Sequence, residues 1–128
     1  MRNKELILVL VTFFLFLACN DERSSDWGTI DIPETGFSIE LETRYNNGQL
    51  LYILRMTPYD DNLLRLANTV NVELLDREGF VLGRIEPEAW NRSNDSEGRR
   101  IGVISRGNIP MTRNNYRNLG RWSVSWRN

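Results

Sequence analysis

The chain has 128 residues, with 16 basic and 17 acidic side chains, one cysteine and no histidine. That length supports one small domain rather than two. A lone cysteine excludes an internal disulfide, the lack of histidine removes the commonest general base and metal ligand, and a net charge of −1 does not suit a nucleic-acid binder.

Arg2 and Lys4 make a short basic start. Leu6 to Ala18 then runs apolar for thirteen residues, broken only by Thr12. As a helix this run would reach about 20 Å, short of the roughly 30 Å core of a bilayer. It has the length of a signal-peptide hydrophobic region. Asn20 to Asp26 is polar and reads as the end of an acidic tether. The expected organisation is a signal peptide over 1–18, a tether over 19–26 and a single domain over 27–128.

The run closes on Leu15-Phe16-Leu17-Ala18-Cys19. Here the sequence resembles bacterial lipoproteins with a lipobox, in which a small residue precedes a cysteine that is lipidated and becomes the mature N-terminus. Ala18 and Cys19 match those two positions, while Phe16 stands where leucine is usual. The resemblance implies lipidation at Cys19, with acyl chains contributing about 0.8 kcal/mol per buried CH₂ to membrane attachment. It also implies a place in the bacterial cell envelope. Aspartate after the cysteine retains many such proteins at the inner membrane; Asn20 in that position implies the outer membrane. The acidic pair Asp21-Glu22 resembles the short tags that send some lipoproteins to the cell surface.

Loss of residues 1–18 would leave 14 basic and 16 acidic side chains, every basic one an arginine. The charge is unevenly spread. Residues 19–91 hold 6 arginines and 14 acids, whereas residues 92–128 hold 8 arginines and only Asp95 and Glu97. Two readings stay open: pairing of the two halves across one fold, or a basic face that meets an anionic glycan, a lipid headgroup or an acidic partner.

From Trp27 the pattern becomes strand-like. Gly36 to Tyr45 alternates, with Phe37, Ile39 and Leu41 on one face and Ser38, Glu40 and Glu42 on the other. Asn46-Asn47-Gly48 is a turn signal. Gln49 to Thr57 follows with apolar residues on both faces, the pattern of a central strand. After Pro58, Asp60 and Asp61 are placed to cap a helical turn over Leu63–Ala67, with a loop as the alternative. Thr69 to Leu75 is the next strand. Asp76-Arg77-Glu78-Gly79 fits a type I turn, and Phe80 to Ile85 returns as the hairpin partner. Glu88 to Arg99 reads as a polar loop interrupted by Trp90. Arg100 to Arg106 is a strand, Met111 to Asn118 a loop, and Arg121 to Arg127 a last strand with Trp122, Val124 and Trp126 on one face.

Six or seven short strands separated by turn signals predict an all-β fold, a small sandwich of antiparallel strands. About 100 residues suffice for such a core without disulfides. Residues 70–83 add a likeness to the hairpin of FxLYD-type domains, small immunoglobulin-like sandwiches of bacterial envelope proteins. Their motif falls on Val72, Leu74, Leu75 and Asp76, of which Leu74 and Asp76 match. The resemblance implies an immunoglobulin-like sandwich and no catalytic residues.

Catalytic chemistry has few carriers here. A serine nucleophile lacks histidine or mature-chain lysine as its base, and zinc lacks its usual ligands. No phosphate loop or dinucleotide fingerprint is present. The expectation is therefore no catalytic residue, no cofactor and no metal. Two carboxylates alone can hydrolyse a glycoside, so Asp60-Asp61 and Glu86/Glu88 define the alternative, a small hydrolase of envelope glycans. Asn91, Ser93, Asp95 and Glu97 offer oxygen ligands for calcium, but Gly98 comes eighth where an EF-hand loop has glycine sixth. Trp122 and Trp126 read as core residues or as a sugar-stacking platform. Trp90 is the candidate exposed aromatic anchor, with Arg99 and Arg100 beside it to meet an anionic group. The function expected is a membrane-anchored, non-enzymatic interaction module, its partner an envelope protein or an anionic glycan.

Overall fold

The computed structural model describes residues 24–127. The expected signal peptide, Cys19 and the first part of the tether lie outside the described residues. Eight strands and two short helices follow in order: β1 (Ser24–Ile32), β2 (Phe37–Asn46), β3 (Gln49–Thr57), α1 (Leu63–Ala67), β4 (Val70–Asp76), β5 (Val81–Ile85), β6 (Asn91–Asn94), β7 (Arg100–Pro110), α2 (Arg113–Asn118) and β8 (Leu119–Trp126). They form one sheet in the order β1-β2-β3-β7-β6 and a second in the order β5-β4-β8, every pairing antiparallel.

The alternation read in the sequence sets which faces meet. β2 turns Phe37, Ile39, Leu41, Thr43 and Tyr45 inward, and β3 turns Leu50, Tyr52, Leu54 and Met56 to the same side. Val70, Val72 and Leu74 of β4 and Ile85 of β5 come from the opposite sheet. Each such aliphatic side chain, removed from water, contributes about 1.5–3 kcal/mol relative to an exposed one. Leu63 and Ala67 of α1 close one end. The carboxylate of Asp60 accepts from the amides of Asn62 and Leu63 at 2.8 and 3.0 Å just ahead of α1, whose N-cap is Asn62 rather than an acid.

The arrangement is an immunoglobulin-like sandwich. Strands β2-β3-β7-β6 stand in the order A-B-E-D, and β5-β4-β8 in the order C′-C-F, with the chain crossing between sheets after β3, β5 and β7. β1 is an added strand outside A, and no described strand stands in the place of G beside β8. Trp27 joins the two sheets on that side. Its indole N–H donates to Thr43 Oγ1 at 2.7 Å, and its carbonyl accepts from the indole of Trp122 on β8 at 2.8 Å. A register shift between Asp26 and Gly28 marks the β1 irregularity at Trp27.

Several boundaries differ from expectation. β1 begins at Ser24, inside the stretch read as tether, because its backbone pairs with β2 from Ser24↔Arg44 onward. The loop expected over 88–99 contains β6, whose polar residues Asn91 to Asn94 pair with β7. β7 runs on to Pro110, since β3 offers partners as far as Gln49. The segment expected as loop over 111–118 contains α2. Thr112 caps it by accepting from the amide of Asn115 at 3.1 Å, and Tyr116 stacks on Tyr45 with ring centroids 5.0 Å apart.

Five ion pairs among the described residues each lie within one half of the charge pattern. Arg55 meets Glu40 and Glu42, and Arg84 meets Glu73, within the acidic half. Arg99 meets Asp95 and Glu97 within the basic one.

Candidate functional site

The outward face of the larger sheet is built in rows across the strands. Register places Arg44, Leu51 and Asn108 in one row, Glu42, Ile53 and Arg106 in the next, and Glu40, Arg55 and Ile104 in the third. The aliphatic side chains sit on β3, whose sequence is apolar on both faces. Leu51 is exposed and Ile53 half-buried. Around them lies a shallow hollow of about 540 Å³, walled by Arg44, Arg106, Asn108 and Glu42. Arg55 is held by Glu40 and Glu42, both at 3.3 Å, which fixes the polar border of the hollow.

A second cleft of about 490 Å³ opens between the sheets beside β7, lined by Tyr52, Arg84, Glu86, Glu88, Ser105 and Arg106 among others. Gly107 has no side chain because the Tyr52 hydroxyl lies over it; a Cβ there would stand 2.5 Å from that oxygen. Burial pushes the Tyr52 phenol above its ordinary value, the Glu88 carboxylate adds to this, and the hydrogen bond with Ser105 opposes it. The structure thus brings Glu86 and Glu88 into one cleft, but both are exposed. They lie two residues apart on one loop. Asp60 Oδ1 is engaged by the amides of Asn62 and Leu63. Among the described residues no three metal-ligating side chains cluster, and Asp95 Oδ1 is occupied by the amides of Glu97 and Arg99, each at 2.9 Å.

Comparison with family models, characterised proteins and solved structures finds no match to the chain.

The residues singled out in the sequence as a binding surface do not converge. Trp90 is half-buried and packs against the core, with its indole N–H buried and without a partner among the described residues. The expected exposed aromatic anchor is corrected to a residue that pins the 86–90 connection to the sandwich. Arg99 folds back onto Asp95 and Glu97 at 3.0 Å each. Arg100 lies over the ring of Tyr59, 5.6 Å from its centroid. Trp122 belongs with the core, as its inward position on β8 predicts, whereas Trp126 at the end of the same strand is exposed. The hollow around Leu51 and Ile53 went unread in the sequence. Its signal was present, since a strand apolar on both faces needs cover on both, and among the described residues only one side has it.

Proposed function

We propose that the chain is a lipid-anchored, non-enzymatic binding module of the bacterial cell envelope. The outward face of the β1-β2-β3-β7-β6 sheet is its contact surface. The observation that carries this reading is the hollow that sets exposed Leu51 and half-buried Ile53 beside the Arg106 guanidinium on an open sheet face. An apolar floor with a cationic border suits an envelope protein or a glycan that presents an anionic group. Attachment would come through Cys19, as the lipobox-like run Leu15–Cys19 implies, on the outer-membrane side that Asn20 implies.

The alternative, a carboxylate hydrolase using Glu86 and Glu88, has the shared cleft in its favour and the exposure of both groups against it. Turnover of envelope glycans that vanishes in Glu86→Gln or Glu88→Gln would favour it over the module.

A photo-crosslinking residue at Leu51 in the full chain, expressed in a Gram-negative host, tests the contact surface. A discrete adduct at position 51 that is absent at the control position 96 and lost with Arg106→Glu is the expected result. Equal labelling at both positions rejects the face as a contact surface. The mass of the N-terminal peptide tests the anchor separately. A diacyl or triacyl Cys19 supports it, and an intact Met1 with unmodified Cys19 removes it.

A further inference from the structure

The most exposed large apolar side chain, Phe80, stands at one end of the sandwich. That end gathers the β2–β3 turn, the β4–β5 turn and α2. It carries Arg77, Arg113, Arg117 and Arg121, with Asp76 and Glu78 as the acids of its turn. Asp76 is engaged by its own turn, its Oδ1 accepting from the amides of Glu78 and Phe80 at 2.9 Å each. The Arg121 guanidinium lies over Gly79, and the stem of Arg77 lies against Gly120, so two cations frame this turn. At its tip Phe80 is 67% exposed and Val81 43%. The opposite end carries Glu34, Asp60, Asp61, Asp95 and Glu97 together with Arg65, Arg99, Arg100 and Arg127, and its exposed apolar side chains, Leu64, Ile101 and Trp126, are 37%, 43% and 37% exposed.

The turn does not need an aromatic at its fifth position. The backbone there is fixed by Asp76 and by Gly79 at φ 96°. The same Asp-x-Glu-Gly sequence makes the same turn at 95–98 with Arg99 in fifth place. An exposed phenylalanine among arginines is the composition of an interfacial membrane contact.

The chain direction adds an independent argument. β1 starts at this same end, with Ser24 in register with Arg44. Four residues separate Cys19 from Ser24, so the five steps between them reach at most about 18 Å. A lipid on Cys19 therefore holds this end, and not the opposite one, next to the bilayer.

Resting on the reading of Cys19 as a lipid anchor, we propose that the Phe80 end of the sandwich docks on an anionic bilayer. Phe80 and Val81 sit at headgroup depth, and Arg77 and Arg121, which frame the turn, face the lipid phosphates. Each arginine removed weakens the contact about fivefold, the worth of one cation at an anionic surface.

The test uses the full chain, in which Cys19 is the sole cysteine. A Cys19 blocked by acylation leaves an introduced thiol as the only labelling site. Val81→Cys and, as a control at the opposite end, Ser96→Cys are each labelled with an environment-sensitive fluorophore and reconstituted into vesicles of phosphatidylethanolamine and phosphatidylglycerol. The expected result is a blue shift at 81 and none at 96. The shift weakens on phosphatidylcholine vesicles and in 1 M salt, where the Debye length is about 3 Å. It also falls in Phe80→Ser and in Arg77→Ser. Identical aqueous emission at 81 and 96 overturns the docking, as does retention on purified peptidoglycan without any shift on vesicles, which would make a glycan the partner of this end. The mass of the Cys19 peptide in the same samples reports the anchor independently. An unmodified Cys19, with any labelled Cys19 accounted for by peptide mapping, removes the anchor while the contrast between 81 and 96 still decides the docking.

Discussion

The turns at 76–80 and 95–99 are one backbone device used twice. Each has aspartate first and glycine fourth. Each closes with the aspartate amide donating to the fifth carbonyl at 2.9 Å and the glycine amide donating back to the aspartate carbonyl at 3.1 Å. In each, Oδ1 of the aspartate accepts two amides at 2.9 Å. They differ in the fifth side chain and in their location. Phe80 stands bare between Arg77 and Arg121, whereas Arg99 folds onto Asp95 and Glu97 at the opposite end. Because the backbone is specified by the aspartate and the glycine, the fifth position is free of folding constraint. What stands there reports on what each end meets.

The largest effect should come from removing the aspartate acceptor. Asp76→Ala leaves two amides without their side-chain partner and should cost about 1–2 kcal/mol, in line with the loss of a comparable helix cap. Asp95→Ala should destabilise for the same reason, and also frees Arg99 from its 3.0 Å contact. Chemical denaturation of both variants measures this. A change at only one of the two would break the equivalence of the turns.

A smaller cost should follow from giving the fourth residue a side chain. Gly79 and Gly98 sit at φ 96° and 81°, where a Cβ crowds the backbone. Gly79→Ala and Gly98→Ala should each cost about 1 kcal/mol. The added methyl at 79 also meets the Arg121 guanidinium, while at 98 it enters open space. The excess of the first over the second measures how firmly Arg121 is held.

The first of these turns was legible in the sequence and the second was not, although four-residue patterns as similar as Asp-Arg-Glu-Gly and Asp-Ser-Glu-Gly make them. The first is flanked by Val70–Leu75 and Val81–Ile85, whose apolar alternation announces strands. The second follows Asn91-Arg92-Ser93-Asn94, which has no apolar face. β6 is a strand because β7 offers it backbone partners, and that is a tertiary fact. α2 escaped for a like reason: Arg-Asn-Asn-Tyr-Arg-Asn has no apolar stripe, and what packs it on the core is Tyr116, stacked on Tyr45. β2 and β3 were read nearly to the residue, since Asn47 and Gly48 adopt the positive φ their turn signal implies. The candidate site was less legible. Charge summed along the chain divided it at residue 91, but the fold regroups it by end. Arg77, from the acidic half of the sequence, joins Arg113, Arg117 and Arg121.

Acid should probe the 95–99 turn through its aspartate. The Arg99 amide holds the Asp95 carboxyl below its ordinary value; desolvation opposes it, and the Glu97 amide and the Arg99 side chain add to the lowering. The folded state therefore binds this proton less readily than the unfolded state. The stabilisation is complete above the ordinary carboxylate value of 3.8 and is lost as pH falls through the lowered folded value. Asp95→Asn keeps an acceptor oxygen but cannot titrate. It should lack this part of the acid limb in a stability-against-pH series, and an unchanged limb would assign the acid sensitivity to other carboxylates.

The smallest stability effect, and the sharpest contrast in function, should come from exchanging the fifth residues. Phe80→Arg combined with Arg99→Phe touches neither the aspartates nor the glycines. Position 80 is largely exposed, so Phe80→Arg alone should stay within about 0.5 kcal/mol of the parent. The vesicle assay should respond strongly. The blue shift at 81 should fall, because the apolar tip is gone although the arginines remain. No shift should arise at 96, because a phenylalanine placed beside Asp95 and Glu97 meets anionic lipid with like charge. A shift that moved to 96 with the phenylalanine would mean that an exposed aromatic suffices at either end. The arginines around Arg77 and Arg121, and the end at which β1 begins, would then have no part in orienting the domain.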